Sequence, residues 1–537
     1  MTSSTLPIAA LGKRLRATRI DAYDAIAWLG SAALLVACIA FADDAGVTMD
    51  EKVEAGYGRR ILTWYGSGFR DTRALNSTAQ SQYGGLYAAV VGAMVHFLPF
   101  DEYVIRHFFA GVCGVLGIAA AWRCAALLGG PRAGLCAGSM LALTPAWLGH
   151  ALFNPKDTPF GAAAAWALYG TLRIATDRVP PKRSVCLLCG VATGAALGVR
   201  PGGMFLLAYP ALVMAARLWL LREPNTQRLS LLARSSARLA LGLGAAWITM
   251  LIAWPWALMS PLLRPFQAAN MAAHFSWNGS VRFRGAIVDV HALPRDYLPT
   301  WFAITLPETY VLAAVCALLL LWAVRKRTPD STRLLALATL FAAAFGPLAV
   351  AVLTQPVIYD AHRHFLFLMP AMAALAGYAV AEFSAAHELP RAARVTALGA
   401  WIALCALTLH DMVAMHPYEY SYFNRLSGSL AGASQRFETD YWGASYEEGV
   451  AWVVSHLQPA AGTRLRISSC HDLEALAHYF ARTPEAAARF QIVKERSRAD
   501  VFLTTTRNDC HKSSGTIIHT IQRMGAPLLY VLRTNPS

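Results

Sequence analysis

Charged residues are scarce in this chain. Asp, Glu, Lys and Arg make up 15% of its 537 residues, where a soluble domain carries about a quarter. That scarcity excludes an ordinary soluble globular protein. Acids are scarcer than bases, 32 against 47, for a formal net charge of +15. The excess is not a nucleic-acid footprint, because the basic residues lie largely in short loops between apolar runs, as membrane topology requires. Cysteine is nearly missing from the polar stretches. Most of the ten cysteines sit in apolar runs, where Cys behaves as a small hydrophobe. Cys470 and Cys510 alone fall in the polar C-terminal segment, where a disulfide is open to them if that segment lies outside the cytoplasm. A strong internal repeat is also lacking, which argues against a transporter built of inverted repeats. No ligand spacing compels a metal, so a divalent cation stays an open cofactor.

Long apolar runs are what the chain has in excess. It is 56% hydrophobic with mean hydropathy +0.39, and runs of about 20 uncharged apolar residues are spanning helices. The first, Ala25–Ala42, follows Lys13, Arg14, Arg16 and Arg19. It fits a signal peptide ending at Ala40-Phe41-Ala42, or an uncleaved first span, which the many later spans favour. Further spans are expected at Ile105–Leu128, Arg132–Leu152, before Thr176–Arg183, at Val185–Val199, Gly202–Leu221 and Leu239–Leu258, before Arg325–Arg327, at Leu334–Thr354, before His387–Arg394, and at Val395–Met415. Tyr83–Phe100 is short and broken by glycine. Taken as a helix lying on the membrane, it puts the basic loops 13–19, 176–183, 222–238, 325–333 and 387–394 on one side, which the positive-inside rule makes the cytoplasm. The expectation is a polytopic α-helical membrane domain, residues 1–415, of about eleven spans, with outer loops 43–104 and 259–307. Residues 416–537 alternate strand-like runs (Arg464–Ser468, Asp500–Thr504, Pro527–Leu532) with helix-like ones (Tyr446–Leu457, Asp472–Ala481, Pro484–Phe490), predicting a small α/β domain on the outer face.

In this register the chemistry-bearing residues gather outside. Asp50 and Glu51 follow the first span. They fit either loop acids capping a helix at Lys52–Tyr65 or a general base or cation ligand that activates an acceptor hydroxyl. Asn154, Lys156 and Asp157 follow His150, in a loop shaped by Pro155 and Pro159. They fit a helix-boundary turn capped by Asp157, or groups orienting a sugar or phosphate. Arg200, outside against the charge trend, is a snorkelling residue or a fork for a lipid phosphate. Tyr359, Asp360, His362, Arg363 and His364 form the densest outer polar cluster. Two histidines at i, i+2 are a weak metal signal, and phosphate contact by Arg363 and His364 is the better reading. The long loop adds His274, Arg282, Arg284, His291 and Arg295, with Trp277 and Phe283 between them. That mixture suits a lipid-borne sugar phosphate or an interfacial belt.

Several stretches together resemble one family. They are Met49-Asp50-Glu51, Arg106–Trp122, Leu143–Phe160, Leu293–Glu308, Tyr359–Pro370 and His416–Glu448. In their order and their placement against the spans, residues 25–455 resemble membrane glycosyltransferases of the GT-C fold. The similarity is to bacterial relatives of protein O-mannosyltransferases and of the aminoarabinose transferase of lipid A. The resemblance implies transfer of a sugar from a polyprenyl-phosphate donor to a protein, lipid A or glycan acceptor, on the periplasmic side of a bacterial inner membrane. It implies Asp50 as the acid of the first outer loop and base, Asp157 as the acid of the second, and Arg200 and Arg363 as the lipid-phosphate contacts. Lys156, His364, Asn154, Tyr359 and Arg282 join them as donor- and substrate-binding candidates. YDAHRHF carries His362 where the family pattern leads one to expect an aromatic. The competing readings are a flippase or transporter of a lipid-linked saccharide, which predicts charges deep within spans, and a receptor whose tail is the working part.

Overall fold

The computed structural model describes residues 21–220, 225–275, 277–325, 330–470, 473–482, 484–512 and 515–534. Lys13, Arg14, Arg16, Arg19, Arg222, Lys326 and Arg327, which contribute to the expected register, lie outside these residues. Helix α1 (Ala22–Ala40) is followed by α2 (Met49–Gly66) and α3 (Leu86–Phe97). Next come α4 (Glu102–Ala142), α5 (Pro145–Phe153), α6 (Asp157–Thr176), α7 (Arg183–Leu197), α8 (Ala208–Leu220) and α9 (Asn225–Leu251). The long loop holds α10 (Pro255–Leu258), α11 (Arg264–Ala273), the hairpin β1 (Ser280–Phe283) and β2 (Ala286–Asp289), and α12 (Tyr297–Thr305). Helices α13 (Glu308–Val324), α14 (Ser331–Thr354), α15 (Met369–Ala385) and α16 (Arg391–Met415) complete this part.

Among the described residues, six helices are long and apolar enough to cross a membrane, or seven if α12 and α13, bent by 100°, count as one span. This is a multi-pass membrane protein. Helix α1 buries none of its side chains, and Trp28, Leu29, Val36 and Ile39 point outward, as lipid-facing residues do. Helix α4 joins two of the expected spans. It breaks at Gly130 (φ 77°) before Pro131, where glycine supplies the left-handed turn and proline removes an N–H. The remaining expected spans fall short by length or composition. Helix α7 has 15 residues, and α9 opens on the polar run Asn225–Arg238. Helix α3 has 12 residues, about 18 Å at 1.5 Å per residue, well below the ~30 Å apolar core of a bilayer. It packs on α2 through Ala89, Tyr57 and Ile61.

The C-terminal part contains α17 (Ser429–Ala433), α18 (Tyr446–His456), β3 (Leu465–Ser469), α19 (Leu473–Ala481), α20 (Pro484–Arg489), β4 (Phe490–Ile492), β5 (Val501–Thr505), β6 (Thr516–Arg523) and β7 (Ala526–Arg533). Its five strands form one sheet in the order β4-β3-β5-β7-β6. Strand β3 runs parallel to β4 and β5, while β7 is antiparallel to β5 and β6. Ile467, Leu503, Leu529 and Val531 bury one sheet face against Val450 and Val453 of α18 and Leu476 and Phe480 of α19. The expected strands and helices are present within a residue or two. Strands β4 and β6 and the β1–β2 hairpin are additions to the reading. Each lies at a sheet edge, where half the pairing and less burial weaken the apolar pattern. Residues 416–445 fold back onto the membrane part. Their Tyr418, Tyr420, Tyr422, Phe423 and Tyr441 share a core with Phe153, Phe283, Tyr297 and Trp301.

Candidate active site

The site grows from three chain corners. At the first, Thr48 begins α2 and its N–H and hydroxyl both donate to Glu51 Oε2, at 2.8 and 3.0 Å. The Glu51 N–H donates back to the Thr48 side chain, and this capping box satisfies orphan donors at the helix start. The other oxygen, Glu51 Oε1, lies 2.8 Å from His107 Nε2 with both side chains buried. Glu51 is thus occupied by the cap and His107 and does not face the cavities described below. The helix starts at Met49, ahead of Lys52, with Thr48 as its cap residue. Successive helix residues diverge by about 100°, so Asp50 points elsewhere and is 32% exposed. Glu54, one turn on and on Asp50's face, holds Lys156 Nζ at 3.0 Å.

At the second corner, between α5 and α6, Asn154 Oδ1 accepts from the N–H groups of Lys156 and Asp157 at 3.1 and 2.8 Å. Asn154, not Asp157, therefore supplies the turn's capping oxygen. Its Nδ2 donates to Asp157 Oδ2 at 2.9 Å. The Asp157 carboxylate is left to pair with Arg200 through Oδ1 and with Arg363 Nη1 at 3.4 Å through Oδ2. Arg200 reaches it because Leu86 N–H donates to Gly198 O at 2.9 Å. That approach needs glycine at position 84, where a Cβ would lie 2.1 Å from the same carbonyl oxygen.

The third corner is Tyr359–Phe365. Asp360 (φ 55°) and Ala361 (φ 61°) are consecutive left-handed residues, a conformation costing of order 1–3 kcal/mol each without glycine. Contacts hold it in place. Arg363 binds Asp360 Oδ2 at 3.1 Å, Arg507 binds Oδ1 at 2.9 Å, and Trp442 Nε1 donates to Oδ2 at 3.2 Å. The Arg363 guanidinium lies over the rings of Tyr359 and Trp442, 5.1 and 4.9 Å from their centroids, and its Nη1 is 3.5 Å from Asp50 Oδ2. His362 turns the other way, against Phe302 and Trp301. Burial pushes its pKa down to about 3, so it is neutral. His364 sits beside Tyr359. The two histidines therefore diverge. Among the described residues, no group of three or more His, Cys, Asp or Glu could hold a metal ion.

These corners enclose two cavities. One, of about 360 Å³, is lined by Lys156, Arg200, Arg363 and His364 with Phe160, Phe205, Phe365 and Phe367. The other, of about 410 Å³, is lined by Trp277, Tyr441, Trp442, Arg507 and Asn508 among others. Asp50, Tyr359 and Arg363 belong to both, and so form the wall between them. Burial pushes the Asp50 carboxyl up, but Lys156, Arg363 and Arg200 together outweigh it and hold Asp50 below the usual carboxylate range. Burial likewise opposes the Lys156 charge, and Glu54 and Asp50 more than offset it. Asp157 and Glu54 stand behind Arg200 and Lys156, out of the cavity lining.

Asp50, Lys156, Arg200, Tyr359, Arg363 and His364 are thus brought to one place, with Asp157 and Asn154 buried behind them. Arg282 is not. It pairs with Asp509 and reaches Gln435 O at 3.5 Å, tying the hairpin to the tail. Arg284 pairs with Asp296 at the surface, while His291 and Arg295 line a separate pocket. Arg507, Trp442 and Glu54 are site residues that the sequence reading did not select. Trp442 lies in the stretch His416–Glu448 that carries part of the resemblance. Arg507 carries no local signal.

No curated protein sequence matches this chain. Among solved structures it is similar to ArnT from Cupriavidus metallidurans in the apo state, with 16% identity, TM-score 0.49, and coverage of 94% of this chain and 98% of that one. It is also similar to the Archaeoglobus fulgidus oligosaccharyltransferase in the apo form, with 12% identity, TM-score 0.43, and coverage of 88% and 65%. A third is the arabinofuranosyltransferase AftD from Mycobacteria, with 13% identity, TM-score 0.40, and coverage of 94% and 41%. Residues 86–256, the stretch that holds Lys156, Asp157 and Arg200, match the family model of the dolichyl-phosphate-mannose-protein mannosyltransferases.

Proposed function

We propose that this protein is a GT-C membrane glycosyltransferase that moves a sugar from a polyprenyl-phosphate donor to an acceptor hydroxyl, with Asp50 as the base. The observation that carries the reading is the shared wall. Asp50 and Arg363 stand between a cationic, phenylalanine-lined cavity and a second cavity that opens against the tail. In this reading the first takes the lipid phosphate and the first isoprene units. Lys156, Arg200 and Arg363 stabilise the charge that develops on the departing phosphate. The acceptor enters from the second cavity. Its oxygen bonds to the anomeric carbon as the carbon–phosphate oxygen bond breaks, and Asp50 takes the hydroxyl proton. One displacement inverts the anomeric centre.

The depressed pKa of Asp50 makes it a weak base in the free protein. The donor's phosphodiester monoanion would offset the cations that depress it, so donor binding raises Asp50 toward useful basicity. Donor and base are then coupled. The matched family's name supports a lipid-phosphate sugar donor. The basic loops within the described residues support a cytoplasmic side opposite the site, and hence a periplasmic site in a bacterial inner membrane. The acceptor is a protein, lipid A or a glycan.

The test is transfer from a radiolabelled polyprenyl-phosphate sugar by the purified protein in proteoliposomes. Transfer that is lost in Asp50→Asn supports the reading. Equal transfer by both proteins removes Asp50 from the mechanism, and a product of retained configuration, seen by NMR, removes the single displacement.

A further inference from the structure

The two cavities differ in electrical character. The first presents three cations and one acid at its surface. The second presents two acids, Asp50 and Asp360, and two bases, Arg363 and Arg507. These four are already paired to one another. Arg363 lies 3.1 Å from Asp360, Arg507 lies 2.9 Å from Asp360, and Arg363 lies 3.5 Å from Asp50. An anionic acceptor group would have to displace a carboxylate from a cation, giving up a buried charge-assisted contact for each new one. A cationic one would face the same exchange with the arginines.

Apart from Met49 and two glycines, what else lines the second cavity is aromatic or a neutral hydrogen-bonding group. Trp277, Tyr441, Trp442 and Tyr446 supply rings, and Thr48, Ser280, Thr505 and Asn508 supply hydroxyls and an amide. Trp277 is fixed by stacking on Tyr359, with ring centroids 4.4 Å apart and planes 29° off parallel. Rings with a few placed polar groups, in about 410 Å³, make a small-molecule site. They suit a ligand with one apolar C–H face and an edge of uncharged hydroxyls.

We infer that the second cavity binds an uncharged saccharide residue, which is the acceptor. The inference rests on the donor–acceptor reading above and deepens it. Trp277 and Asn508 become specificity-determining residues for that sugar.

The test is saturation-transfer NMR on the full-length protein in nanodiscs. The probes are neutral methyl glycosides of several hexoses and pentoses, their phosphorylated counterparts, and a Ser/Thr-containing peptide. The expected result is saturable binding of at least one neutral glycoside. That binding should weaken about tenfold in Trp277→Ala, the loss of one ring contact of ~1.4 kcal/mol. It should be kept in Trp277→Phe and should weaken in Asn508→Asp. Binding of polyprenyl phosphate, measured in parallel, shows that each variant is folded and should not change. The inference is overturned if no neutral glycoside binds, if only the phosphorylated sugar or the peptide binds, or if glycoside binding ignores both Trp277 and Asn508. Loss of polyprenyl-phosphate binding in the wild type, with glycoside binding intact, would instead strike the donor reading.

Discussion

Asp50→Asn is the sharpest perturbation the site offers, because it removes a charge and a proton acceptor while keeping the side chain's shape. Asp50 is 32% exposed, and its neighbour Arg363 retains Asp360 and Asp157 as partners. Asp50 is half-buried beside Lys156, Arg200 and Arg363, so the expected cost to folding is about 1–3 kcal/mol, which thermal unfolding reads separately. The expected cost to turnover is large. A positioned base contributes about 10²–10⁴ in rate, or roughly 3–5 kcal/mol of activation free energy. Donor binding should move the other way. Asp50 is the one acid among the charged groups facing the cationic cavity, so its neutralisation should hold or tighten the affinity for polyprenyl phosphate. The assay pairs sugar transfer in proteoliposomes with polyprenyl-phosphate binding in the same preparation. Transfer down by at least about 100-fold with donor affinity held or raised is the predicted pair. Transfer within about threefold of wild type, or a collapse of both readouts with retained folding, would refute the assignment.

Other expectations follow from the same geometry. Arg200→Ala, which removes one charged phosphate contact, should weaken polyprenyl-phosphate binding by about 10–100-fold, and Arg200→Lys should recover part of it. Arg507→Ala leaves Asp360 with Arg363 and Trp442. It should cost about 2 kcal/mol of stability and lower transfer while donor binding persists, as thermal unfolding and a binding titration would show. Glu438 is buried, and its pKa is pushed up by that burial from 4.5 to about 7 against the pull of Arg507. Its proton is released near pH 4.5 in the unfolded chain but near 7 in the folded one, so it should favour folding below pH 4.5 and lose that contribution as pH rises to about 7. The span is worth up to about 3 kcal/mol, and Glu438→Gln should flatten that stretch of a melting-temperature profile. Cys470 and Cys510 are disulfide-bonded across a separation of 40 residues. Cys470→Ser should lower the stability of the tail by about 3–4 kcal/mol in the loop-entropy account, read from thermal unfolding with and without reductant.

How far the sequence reached depended on the distance over which each residue acts. The break at Gly130-Pro131 and the apolar runs of β3, β5 and β7 are local, and the sequence displays both. The pairing of Asp50 with Glu51 misleads for the same reason. Adjacent acids look equivalent in a string, yet one helix step sends Glu51 to His107 and Asp50 to the cavity wall. Arg282 reads as a substrate-binding residue beside Trp277 and Phe283, but in the fold it pairs with Asp509. Arg507 was invisible because its meaning lies in Asp360, across the whole C-terminal fold.

That last contact has a consequence for how the protein comes to be. The second cavity takes Thr505, Arg507 and Asn508 from a segment that follows every helix capable of crossing the membrane. A nascent chain with all the described spans inserted therefore has every residue that lines the cationic cavity but lacks one wall of the other. On the proposed reading the tail's folding completes the site, so a chain misfolded at its C-terminus should bind polyprenyl phosphate but show no transfer in proteoliposomes.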